Sequence, residues 1–151
     1  MFYKLKSYFF CNLHFFEESD KVKRINLSSE YEKSRSYSSA VVSEGGRTIW
    51  LAGHFATEET TGKSLIGDFD GQVRSVFHKL SVTLAQVDAS LSDIVSMTCF
   101  ITDVTNNIRF VEIRKEFFQN DKFPASALVT VSALNRPEML IEIQAVAVSK
   151  S

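Results

Sequence analysis

The stretch GQVRSVFHKLSVTLAQVDASLSDIVSMTCFIT, residues 71–102, changes its hydrophobic period half-way along. In its first half Val73, Val76, Phe77, Leu80, Leu84 and Val87 recur at steps of three, one, three, four and three. That spacing predicts one buried side of a helix from about Gly71 to Val87. After the turn residues around Asp88 and Ser90, the run from Ile94 is short and rich in strand formers, so it predicts a strand. A helix that feeds directly into a strand makes the domain a mixed one.

Upstream, YSSAVV, EGG and RTIWLAG predict strand, turn and strand, with Gly45 and Gly46 supplying the positive φ of a hairpin. The polar segment HFATEETTGKSLIGD is a loop, and Asp68 or Asp70 can cap the helix that follows. Downstream, TDVTNN turns the chain into a second, shorter helix over about Ile108 to Phe118, which QNDKFP ends. The strands SALVTVSAL and MLIEIQAVAV are joined through Asn135, Arg136 and Pro137. In the last, Ile141, Ile143, Ala145 and Ala147 share one face, and Glu142 and Gln144 share the other.

The order is β-β-α-β-α-β-β, an α+β fold of two layers: a mixed sheet with both helices packed on one face. Nothing in the chain covers the other face. Taken to carry Leu128, Cys99 or their neighbours, that face is expected to meet another subunit, with binding sites at the junction.

The 151 residues suffice for one core. Residues 1–30 are expected to form an N-terminal extension, free to be flexible, and residues 31–151 the domain. A formal net charge of -1 provides no field for a nucleic acid. Cys11 and Cys99 match no metal or redox spacing, and His14, His54 and His78 form no ligand pair, so no metal and no cofactor are expected. The Phe-rich N-terminus is broken by Lys4, Lys6, Asn12 and His14, which predicts neither a signal peptide nor a membrane span, and hence a cytoplasmic protein.

Four blocks carry a family likeness: TIWLAGH, SLSDIVSMTCFITD, EFFQNDKFPAS and LIEIQAVAV. Together they resemble the reactive intermediate deaminase family (RidA, also called YjgF, or endoribonuclease L-PSP-like) over about residues 36 to 149. The resemblance implies a chorismate-mutase-like fold and a homotrimer with a pocket at each subunit interface. Tyr37, Ser126 and Glu142 would face that pocket, and the segment around Gly53 and His54 would contribute backbone.

The family's chemistry is hydrolysis of enamines and imines. An imine is already electrophilic, so the protein holds the substrate, positions a water and passes a proton to the departing ammonia. By resemblance Glu142 holds the water. The deaminating members carry an arginine after the Pro-Ala pair, where a guanidinium matches two carboxylate oxygens. This chain reads Pro124-Ala125-Ser126, so a ligand that does not need that clamp is expected. The helix around EIRKEFF departs as well, with Val111, just before that segment, and Arg114 where the family often has asparagine and tyrosine; His54 stands where glutamine is usual.

Each candidate has a plainer reading. Glu142 could be an exposed charge on an alternating strand, Tyr37 could simply close an interface, and Ser126 could be a small residue opening a strand. His54, an alternative acid/base, could instead cap a loop. Arg136 could reach the pocket or remain solvated, and Arg136 or Arg114 could do the work of the missing arginine. The alternative to a hydrolase is a trimer that binds a small metabolite without chemistry, and a ribonuclease or translation inhibitor is the weakest of the three readings.

Overall fold

The computed structural model describes residues 22–150. The expectations placed on Cys11, His14 and the Phe-rich N-terminus lie outside the described residues. The elements are β1 (Lys23–Leu27), α1 (Glu30–Ser34), β2 (Ala40–Glu44), β3 (Arg47–His54), α2 (Phe69–Ala85), β4 (Ile94–Ile101), α3 (Asn107–Lys115), β5 (Ala125–Thr130) and β6 (Ile141–Ser149). From β2 onward this is the expected α+β order.

A four-stranded sheet has the order β3-β6-β4-β5, with β4 and β5 parallel and the other neighbours antiparallel, so the sheet is mixed. The α2 helix starts where the Asp68 carboxylate accepts the Gly71 N–H at 2.9 Å. Its apolar side, Val73, Val76, Phe77, Leu80 and Leu84, is wholly buried. Together with Phe110 and Ile113 of α3 it packs on Leu51, Met97, Cys99, Ile101, Ile141, Ile143, Ala145 and Ala147 of the sheet. Burial of this kind contributes about 1.5–3 kcal/mol per large aliphatic side chain.

Three details differ from the sequence reading. Gly45 and Gly46 do turn the chain, with φ of 74° and 77°, yet the strands on either side do not pair with each other. β2 instead pairs with β1 in a separate two-stranded sheet, Leu27 opposite Ala40, while β3 takes β6 as its partner. β1 also lies within the expected 1–30 extension. Asn26 of β1 donates to the Phe123 carbonyl at 2.6 Å and to Ser38 Oγ at 3.1 Å, which ties this segment to the mouth of β5.

The third difference concerns the open face. Cys99 is fully buried on the helix side, and Leu128, its partner in register, packs against the same core. The open side carries Trp50, Thr98, Phe100, Glu142 and Gln144. Trp50 is 79 % exposed there. A shallow concavity of about 390 Å³ lies beside it, lined in part by Ser96, Thr98, Gln144 and Val146.

Candidate functional site

The pairing of β3 with β6 is interrupted near its end. Leu51 stands opposite Ala145 and His54 opposite Ile143, so β3 spends one residue more than β6 over this step, a β-bulge. Without that extra residue His54 would stand opposite Glu142. With it, His54 takes the side of Ile143, towards α2, and Gly53 comes to lie against the Glu142 carboxylate. A Cβ on Gly53 would overlap Glu142 Oε1 and stand only 2.9 Å from its Cδ. Gly53 therefore has a steric reason to be glycine: it makes room for the carboxylate.

Both ring nitrogens of His54 are engaged. Nδ1 is 2.8 Å from the Ala52 carbonyl, which can only accept, so Nδ1 carries a proton, and Nε2 lies 3.1 Å from Thr83 Oγ1. The first bond holds the ring against its own strand, and the second ties the end of β3 to α2. Arg136 stacks over the Phe55 ring at 5.3 Å, and Lys79 lies 5.8 Å from the same ring.

At the mouth of β5 a different group assembles. Arg114 on α3 is 2 % exposed, and its guanidinium donates to Ser126 Oγ at 2.7 Å, to Ser36 Oγ at 2.9 Å and to the Arg35 carbonyl at 2.8 Å. Its plane lies over the Phe110 ring at 4.9 Å. Ser36 is fully buried with φ of 56°, a left-handed conformation that costs a non-glycine residue, and it is fixed by donating to the Val111 carbonyl at 3.1 Å. Tyr37 follows, half-buried, before Ser38 bridges to Ala125.

Among the described residues Arg114 makes no ion pair, only hydrogen bonds to neutral oxygens. Burial lowers its pKa, partly offset by the neighbouring Cys99. The Cys99 thiol, 4.0 Å from Ser126 Oγ, is itself pushed up to about 11 by burial. Composition and periodicity could not single out Arg114. The available signal was its departure from the family pattern within EIRKEFF.

The two groups lie on opposite faces of the sheet. Ser126 is in register with Met97, which is in the helix-side core, whereas Glu142 is in register with Phe100. Residues three apart on one strand point to opposite sides. One chain thus presents Glu142 with Gly53 on its open face, and Ser126, Tyr37 and Arg114 at the helix-side mouth of β5. Among the described residues no group of three or more His, Cys, Asp or Glu could hold a metal ion.

The family profile described as Endoribonuclease L-PSP matches residues 28–149. The chain belongs to that family. A RutC family protein of Pyrococcus abyssi is 32 % identical over 111 residues, covering 74 % of this chain and 84 % of the relative. TdcF of Escherichia coli, which carries the name of a reactive intermediate deaminase, is 28 % identical over 105 residues, 68 % of this chain and 80 % of its own. The structure of the Rid family protein YyfB from Yersinia pestis superposes with a TM-score of 0.72 at 26 % identity, covering 84 % of this chain and 98 % of that one. The L-PSP match begins at residue 28, just after β1, so the pairing of β1 with β2 lies at the edge of the family domain. No helix among the described residues is long and apolar enough to cross a membrane.

Proposed function

We propose that this L-PSP family member is a hydrolase of small enamines and imines, working as a homotrimer with a site at each subunit junction. The observation that carries this reading is the division of the expected site residues between two faces of one sheet. Glu142 cannot meet Ser126 and Tyr37 of its own chain, but the open face around Trp50 can bring it to those of a neighbouring copy. The name of TdcF and the Rid neighbours support the reaction class.

In such a site Glu142 accepts a proton from water as the water oxygen bonds to the imine carbon. The C=N pair and that proton go to nitrogen, giving a carbinolamine; Glu142 then takes the hydroxyl proton and passes it to the amine as the C–N bond breaks with its pair on nitrogen, leaving a carbonyl compound and ammonia. Water and the imine supply every atom. His54, with both nitrogens committed to the fold, is the poorer candidate for the proton, and Glu142 carries it.

The test combines light scattering after gel filtration with ammonia release from a panel of freshly generated imines. Three chains per particle and ammonia release lost in Glu142→Gln, with the trimer retained, are expected. A trimer that binds 2-oxo acids yet releases no ammonia from any imine would make it a metabolite-binding protein instead.

A further inference from the structure

We infer that Arg114 is a positioning and specificity residue: acting through Ser126, it makes the mouth of β5 a receptor for the carboxylate of a short-chain ligand. This rests on the reading of that mouth as half of the interface site. The cation comes from α3, not from the position after Pro124-Ala125, and it reaches the mouth from behind.

The geometry dictates the division of labour. Arg114 is too buried to grip a ligand with a free guanidinium edge, and its Nε and both terminal nitrogens already donate to Ser36, Ser126 and Arg35. Its bond to Ser126 occupies a lone pair of that hydroxyl and turns the hydroxyl proton away from the guanidinium. The Cys99 sulfur, at 4.0 Å, is only a distant competitor for that proton. Ser126 is therefore set to donate to an acceptor arriving from the half-open side.

The charge behind it then distinguishes acceptors. Arg114 forms no ion pair among the described residues, so its positive charge is not cancelled by a neighbouring carboxylate, and poorly screened surroundings extend its field. A ligand carboxylate one hydroxyl away meets that field, whereas an ester carbonyl of the same shape meets only the hydrogen bond. The contact is single-pointed, unlike a guanidinium fork, and tolerates ligands that the fork would misalign.

The experiment compares binding of pyruvate and methyl pyruvate, by calorimetry, to the wild type, Ser126→Ala, Arg114→Met and Arg114→Lys. Ammonia release from the corresponding imino acid and imino ester is measured alongside. The wild type should prefer the acid by about tenfold to a hundredfold, the range spanned by hydrogen bonds to charged groups. Arg114→Met should weaken the acid far more than the ester and so remove that preference, and Arg114→Lys should restore part of it. Ser126→Ala, which removes only a half-buried hydroxyl, keeps the test alive should Arg114→Met fail to fold, and should also erase most of the preference.

Equal binding of acid and ester by the wild type overturns the inference, as does a preference that survives in folded Arg114→Met or in Ser126→Ala. The hydrolase reading fails separately. Arg114-dependent pyruvate binding without ammonia from any imine upholds this inference and defeats the enzyme. Equal turnover of imino acid and imino ester does the reverse.

Discussion

Gly53→Ala adds one methyl group where β3 passes under the Glu142 carboxylate. The new Cβ would overlap Oε1 and crowd Cδ at 2.9 Å and Cγ at 3.3 Å. Non-bonded carbons settle near 3.5–4.0 Å, so the carboxylate has to swing away by more than about 1 Å. The atoms met are the far end of a flexible side chain, and no left-handed φ is recorded for Gly53. The strand can therefore keep its path, and the change in unfolding free energy should stay within about 1 kcal/mol. Catalysis is less tolerant, because a misplacement of about 1 Å can cost on the order of a hundredfold. Ammonia release from the best imine should fall by about that factor while the melting temperature shifts by a few degrees at most. A variant that melts like the wild type and retains full turnover would refute the assignment of the Glu142 carboxylate to the reaction. A collapse in stability would show instead that Gly53 is needed by the backbone itself.

Trp50→Asp places a charge on the open face where the wild-type ring is already 79 % exposed in the single chain, so the proposed trimer should dissociate to folded monomers; light scattering with circular dichroism reads both, and an assembly that survives the change would move the proposed interface elsewhere. Asp70 is bonded by Arg109 Nε at 2.9 Å, and this bond, ahead of the Arg109 and Arg74 charges, holds its carboxyl below the usual range. A depressed folded-state value gives stability that is present above the ordinary aspartate pKa and is lost as the pH falls through the folded one. Asp70→Asn should thus cost less than about 1 kcal/mol at neutral pH, as befits a largely exposed pair, with the difference shrinking below about pH 4 in urea titrations. Cys99, buried with its thiol pushed up to about 11, should resist a thiol reagent at pH 8 in a Cys11→Ser background until the protein unfolds. Because its folded value is raised, wild-type stability should decline as the pH climbs above about 8.5, and rapid native-state labelling would contradict its placement.

Local pattern was enough for the elements whose residues repeat. The steps from Val73 to Leu84 marked the buried side of α2 because a helix returns every 3.6 residues. The alternation of Ile141, Ile143, Ala145 and Ala147 with Glu142 and Gln144 placed the Glu142 carboxylate on the face away from the core, where the structure has it. KRINL gave no such signal. Five residues that alternate between exposed and half-buried are held by pairing with β2 and by Asn26 at the Phe123 carbonyl, partners that are distant in sequence.

The α+β order, the family and the serine that stands after Pro124-Ala125 are all legible in the order of residues alone. Which side chains come to lie together follows from packing between distant elements. One extra residue in β3 turned His54 towards α2 and left Gly53 to Glu142, and a bulge is a matter of register between strands about ninety residues apart, not of local composition. The same holds for Arg114. Its side chain meets Ser126, Ser36 and the Arg35 carbonyl because α3 passes behind the mouth of β5, and no spacing along the chain records that crossing. Periodicity reports which way a side chain faces; only the packing of one element on another reports what it faces.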